Sequence, residues 1–177
     1  MKKIILATLI SGAMSASALA VDAGSGTVTF SGSIISAPCS IAPGEENQEV
    51  QLGQVSDVTL NKGGSSSAQP FSIQLQGCNL KDTNTVKVTF NGTEAVINGS
   101  EGNTNTGMLQ ITGEAKGAAV KLMSTSGTQI KVNDSYTQSY VAGNNELKFA
   151  AALQGLDGET VSPGNFSAVT NFTLAYQ

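Results

Sequence analysis

The chain has no histidine, no tryptophan and no arginine. Without histidine, every His-based catalytic triad, proton shuttle and metal site is excluded. All nine basic residues are lysines, and 13 acidic residues outnumber them, giving a net charge of −4. The lysines form no basic stripe, which argues against nucleic acid and anionic membrane surfaces as partners. No lysine has a serine three residues before it, so the Ser-x-x-Lys hydrolase motif is missing. "GSGTVT" lacks the third glycine of a dinucleotide loop, and no phosphate loop occurs. No apolar run is long enough to span a bilayer.

The remaining polar groups suggest no reaction. Glu45/Glu46 and Asp157/Glu159 lie in turn-rich stretches, where solvated loops explain them better than a glycosidase pair. "NTNTG" lacks the carboxylates of a calcium loop. Asn91, Asn98, Asn133, Asn165 and Asn171 each head an Asn-x-Ser/Thr sequon. The motif is short enough for this composition to produce it by chance, and no role is assigned to it. No cofactor, metal or catalytic residue is expected.

What is present begins with a leader. "MKK", the apolar "IILATLISGAM" and the small-residue "ALA" follow one another in the order of a secretory signal peptide, so residues 1–20 are expected to be removed. A short buried helix would not need all three in that order. The rest suits one exported domain, with no internal repeat and a sizeable core. The two cysteines, Cys39 and Cys78, both lie in the exported part. A disulfide is the default in an oxidising compartment, and two thiols without histidine are too few ligands for a good metal site.

Apolar residues alternate along most of the chain, as in half-buried β-strands. Phe71, Ile73 and Leu75 share one face of "FSIQLQG", and Val86, Val88 and Phe90 share one face of "VKVTF". "MLQIT", "AVKLM" and "ELKFAAAL" repeat the pattern. Between them lie the turn clusters "PGEEN", "NKGGSSS", "NGSEGNTNTG", "STSG", "AGNN" and "LDGE". Short strands so punctuated suggest a β-sandwich. "GEAKGAAVKLM" has room for a helical turn, although its glycines disfavour a long helix. "NKGGSSSAQ" reads as a flexible surface loop.

The two ends raise separate questions. "GNFSAVTNFTLAYQ" alternates over twelve residues, with Phe166, Phe172, Leu174 and Tyr176 on one side, and then the sequence stops. At the other end, Val28, Phe30, Gly32 and Ile34 alternate behind the polar "DAGSG". This segment reads either as an edge strand that starts late or as an arm that packs into something else.

Taken in order, these pieces resemble the major pilin subunits of type 1-like fimbriae assembled by the chaperone–usher route. The resemblance rests on the arm "GTVTFSGSII" followed by Cys39, on Cys78 at the end of an alternating strand, on Gly164 near the C-terminus, and on the penultimate aromatic Tyr176. It covers the whole mature length. It implies an incomplete immunoglobulin-like β-sandwich that lacks its last strand and is completed by donor-strand complementation. Residues 21–35 would be the donor arm and residues 36–177 the pilin domain.

The resemblance also implies the partners. A periplasmic chaperone would lend the missing strand, and an outer-membrane usher would replace it with the arm of another pilin subunit. Val28, Phe30, Gly32 and Ile34 would be the donor residues. Gly164, Phe166, Phe172, Leu174 and Tyr176 would belong to the acceptor groove. The implied function is structural: a fimbrial subunit exported through the periplasm to the cell surface, supporting adhesion without catalysis, nucleic acid or membrane insertion. The alternative is a free-standing exported β-sandwich binding module, for example for carbohydrate, whose residues 26–35 pair within its own sheet. A tip adhesin would carry an extra domain and lack the arm.

Overall fold

A computed structural model describes residues 25–80, 84–99 and 102–177. The expected signal peptide, residues 1–20, lies outside the described residues. Residues Ile35–Gln177 form one compact unit. Its strands are β1 (Ser40–Ile41), β2 (Gln69–Cys78), β3 (Thr85–Asn91), β4 (Glu94–Gly99), β5 (Gly102–Gln110), β6 (Thr112–Gly113), β7 (Ala118–Ser124), β8 (Gln129–Ile130), β9 (Ser135–Ser139), β10 (Gly143–Gly155), β11 (Phe166–Ser167) and β12 (Asn171–Tyr176). One short helix, α1 (Asp57–Leu60), leads into a 3₁₀ turn at Asn61–Gly63.

All pairings are antiparallel, and they build two main sheets. The larger runs β1-β2-β10-β7-β5-β4, with β8 beside β7; the smaller runs β12-β3-β9. A two-stranded β11-β6 pair stands apart from both. The core follows the alternation in the sequence. Val86, Val88 and Phe90 of β3 are fully buried, as are Ile73 and Leu75 of β2 and Leu147 and Phe149 of β10. Phe71, Phe90 and Phe149 pack as an aromatic trio with centroids 5.1–6.0 Å apart. Cys39 and Cys78 are joined, with Cα atoms 4.1 Å apart, which ties the segment before β1 to the end of β2.

Three local expectations are corrected. "GEAKGAAVKLM" holds no helix; its second half is β7, where Ala118, Ala119, Val120 and Leu122 are buried in the sheet. The helical turn instead occupies "DVTL", with Leu60 buried beneath it. "NGSEGNTNTG" is not simply a turn, because residues 102–107 continue β5 against β4. Nor does "NKGGSSSAQ" hang free. Ser66 N–H donates to Leu153 O at 2.8 Å, and Gly155 N–H donates to Gly64 O at 2.9 Å.

That last contact depends on two glycines. A Cβ on Gly155 would sit 1.9 Å from Leu60 O, and one on Gly64 would sit 1.9 Å from Thr59 O. Both obstacles are backbone and cannot rotate away. Gly155→Ala should therefore force the 59–64 turn off β10 and cost about 1–3 kcal/mol, the usual penalty for overpacking. Chemical denaturation checks this; a midpoint equal to that of the parent chain would refute it.

Candidate functional site

The smaller sheet ends at β12, and β12 pairs only with β3 among the described residues. Residues 166–177 do not form one unbroken strand, as their alternation suggests. β11 pairs with β6, the chain detaches over 168–170, and β12 resumes beside β3. The alternation nonetheless survives the break. Phe166, Ala168, Thr170, Phe172, Leu174 and Tyr176 are half-buried, while Ser167, Val169, Asn171, Thr173, Ala175 and Gln177 are exposed.

The free edge of β12 has a definite polarity. Gln177 and Thr85 exchange both backbone hydrogen bonds, at 2.9 and 3.2 Å. Hydrogen-bonded pairs alternate with non-bonded pairs along an antiparallel ladder. Asn171, Thr173 and Ala175 therefore also turn their backbone groups toward β3. Phe172, Leu174 and Tyr176 turn theirs away, toward the side that carries no strand.

Beyond that edge lies an open groove of about 850 Å³. Phe71 and Ile73 of β2, Phe90 of β3, Leu122 of β7 and Leu153 of β10 contribute to its floor. Phe166 and Phe172 stand on one wall. A second wall is the segment 49–55, which has no regular secondary structure and lines the groove with Val50, Leu52 and Val55 half-buried. No backbone hydrogen bond is made by residues 49–55 among the described residues. The groove is thus an apolar trough between two unpaired backbone edges, the arrangement that sheets ordinarily avoid because it invites another strand.

The structure brings Phe166 and Phe172 to the groove, with Leu174 and Tyr176 continuing the same face of β12. Gly164 lines the rim, and its requirement for glycine is steric. Its φ is +155°, and a Cβ would lie 2.6 Å from Ala115 N. This close crossing, with Glu114 N–H donating to Asn165 O at 2.9 Å, positions the chain where it enters the wall. Sequence reasoning missed the second wall. Its signal, Val50 and Leu52 alternating in "VQLGQV", is only two residues long before Gly53 interrupts it.

Tyr176 closes its wall edge-on to Tyr140, with centroids 5.6 Å apart. Burial, and secondarily the neighbouring Tyr140, push its phenol above the ordinary tyrosine range. The neutral phenol is thus favoured by the fold. Its contribution is complete below the usual tyrosine pKa and is lost as pH rises through the higher folded value. Alkaline titration followed by phenolate absorbance should show a late-ionising fraction that Tyr176→Phe removes. A single transition at the free-tyrosine position would refute it.

Val28, Phe30, Gly32 and Ile34 lie in a stretch, residues 25–34, that has no regular secondary structure and is exposed throughout. Phe30 is 89% exposed. No described strand includes residues 26–35, although a free-standing module would need them in its own sheet. The groove holds no cluster of metal-ligating side chains among the described residues. Its chemistry is apolar burial plus backbone hydrogen bonding.

Comparison with known proteins agrees with this geometry. Residues 28–177 match the family model described as Fimbrial, fimbrial protein. The chain is 48% identical over 164 residues to the major MR/P fimbria protein of Proteus mirabilis, covering 91% of this chain and 89% of that one. It is 43% identical to the fimbria A protein of Serratia marcescens, covering 100% and 99%. Among solved structures, a subunit of a chaperone–usher pilus studied for rod uncoiling superposes with a TM-score of 0.75 at 29% identity, covering 90% of this chain and 100% of that one. The P pilus rod subunit PapA superposes at 0.67 with 28% identity, covering 80% and 100%.

Proposed function

The chain belongs to the fimbrial protein family and is a structural subunit of a surface fimbria, and from that premise we propose how it polymerises. Residues 21–35 are a donor arm, residues 36–177 are the body, and the arm of one copy completes the groove of the next. One observation carries this reading: Phe172, Leu174 and Tyr176 turn their backbone groups away from β3, unpaired among the described residues, on an edge whose Phe172 lines an apolar groove. A strand laid there gains main-chain hydrogen bonds from the edge and specificity from side chains entering the groove.

The lengths agree. Ten residues of arm, 25–34, extend about 33 Å, and Phe166–Tyr176 spans about 36 Å at the usual strand rise. Val28, Phe30 and Ile34 enter on alternate positions and bury roughly 1.5–3 kcal/mol apiece. Gly32 passes where no side chain fits. Arm and groove are different surfaces, so the contact is heterologous and propagates into an open filament.

Before assembly the same groove needs another cover. A periplasmic chaperone supplies a strand to it, and an outer-membrane usher presides over the exchange for the arm.

The two faces of β12 provide the test. Phe172→Asp puts a charge into the groove, whereas Thr173→Asp, one residue on, puts the same charge into solvent. Periplasmic subunit levels and surface filaments should collapse for Phe172→Asp and persist for Thr173→Asp. Equal behaviour of the two variants would sink the proposal.

A further inference from the structure

The body has two poles along β12. At one, Gln177 pairs with Thr85, the Tyr176 and Tyr140 rings meet, Tyr140 N–H donates to Asn84 O at 2.9 Å, and the Cys39–Cys78 disulfide closes the end of β2. Ile34 is five residues from Cys39, and Pro38 is held there by Asn79 N–H at 3.0 Å. The arm therefore leaves the body at this disulfide pole. At the opposite pole β12 begins. Asn171 pairs with Asn91, and Asn133 clamps Gly92 through bonds of 3.0 and 3.1 Å.

Each pole carries large apolar side chains in the open. Val141 is 63% exposed and Leu80 is 43% exposed at the disulfide pole. They flank the Cys78–Gly143 pairing, one from the end of β2 and the other from just before β10. Val169 is 78% exposed at the far pole, on the lip of the groove. Most of the other strongly exposed large apolar residues belong to the arm.

Donor-strand exchange, on which this inference rests, decides which poles meet. Only five residue steps separate Ile34 from the anchored Cys39, a reach of roughly 17 Å at full extension. The disulfide pole of the donor must therefore abut the groove mouth where Ile34 emerges. If the arm ran parallel to β12, that mouth would be the receiver's own disulfide pole, where the receiver's arm also has to leave. Running antiparallel, Ile34 emerges beside the start of β12, and unlike poles meet at every joint. Only the second arrangement repeats indefinitely.

We propose that Val141 and Leu80 of one copy pack end-on against Val169 of the next, forming a second inter-subunit contact that is separate from the strand in the groove. The occupant is a second copy of this chain, brought there by its own arm. The contact removes three isolated apolar side chains from water and fixes how neighbouring bodies are set on one another.

Cysteine pairing tests the contact in assembled filaments. Chains carrying Val141→Cys together with Val169→Cys are expressed with the assembly factors, oxidised, and run boiled without reductant. A covalent ladder should survive boiling, and each single variant should collapse to monomer. If filaments form and the unboiled ladder is normal, yet the boiled double variant is all monomer, the end-on contact is overturned while strand exchange stands. If the parent chain shows no unboiled ladder, strand exchange fails and this inference falls with it. Should the added thiols lower subunit yield, Val141→Lys with Val169→Glu reads the same contact. Each single charge should cut filament yield several-fold, and the pair should restore it; absence of rescue overturns the contact.

Discussion

Deletion of residues 21–34 should abolish extension of the filament while leaving a body that a chaperone still captures. The body, Ile35–Gln177, contains every described strand and the disulfide, and no described strand includes residues 25–34. On the proposed donor-arm reading, the deletion removes the segment that fills another copy's groove. In the proposed joint, burial of Val28, Phe30 and Ile34 would contribute about 5–9 kcal/mol, and strand hydrogen bonds would add about 1 kcal/mol net each. At 1.4 kcal/mol per factor of ten, that loss leaves no measurable polymer. The truncated subunit should cap fibres instead of lengthening them. Gly32→Leu is a milder form of the same test. Gly32 is exposed in the free chain, so a larger side chain there costs the subunit nothing by itself and meets resistance only inside a groove. Polymerisation should slow while the chaperone complex forms normally. Unboiled gel ladders beside the yield of chaperone complex measure both effects. A normal ladder from the deletion would show that the arm is not the joint.

Loss of the disulfide should have the second large effect. Cys39 and Cys78 are both buried and lie 39 residues apart in sequence. Closing a loop of that size restricts the unfolded chain by about 4 kcal/mol in the chain-entropy model. Folded domains have only about 5–15 kcal/mol in total. Replacing both cysteines with alanine should lower the melting temperature of the subunit, complemented by a peptide of residues 25–35, by roughly 8–16 °C. Periplasmic yield should fall with it. A shift of only a degree or two would mean that the bridge constrains little beyond what β1 and β2 already hold. On the proposed donor-arm reading, Cys39 also anchors the chain just after the arm, so loss of the disulfide should loosen the joint as well as the body.

How far the sequence could be read depended on how locally each feature was encoded. β2, β3 and β10 were legible because one face of each enters a continuous core, and period-two burial imposes period-two chemistry on the residues themselves. β12 was legible for the same reason, and so was the oddity of a clean apolar strand at the C-terminus. The break at residues 168–170 was not, because Ala168 and Thr170 keep the alternation while their backbone changes partners. β5 was hidden in "NGSEGNTNTG", where exposed asparagines and threonines pair with β4 without burying enough to leave a pattern. The 61–67 segment looked loose because glycine and serine give no periodic signal. The bonds that fix it come from β10, almost ninety residues away.

Composition, the leader, the two cysteines and the alternation of Val28, Phe30, Gly32, Ile34 and of Phe166–Tyr176 are local properties. By themselves they pointed to an exported all-β chain with two alternating apolar segments, residues 28–34 and 166–176. The groove is not a local property. Its second wall, residues 49–55, its floor from four separate strands, and the outward turn of the backbone at Phe172, Leu174 and Tyr176 exist only once β12 is registered on β3. The same holds for the steric demand on Gly164, set by Glu114 and Ala115, and for the separation of Val141 and Val169 to opposite poles. A sequence states which side chains avoid water. The tertiary structure alone decides which backbone edges are left without a partner, because hydrogen-bond pairing between strands depends on register across the fold and not on the identity of neighbouring residues.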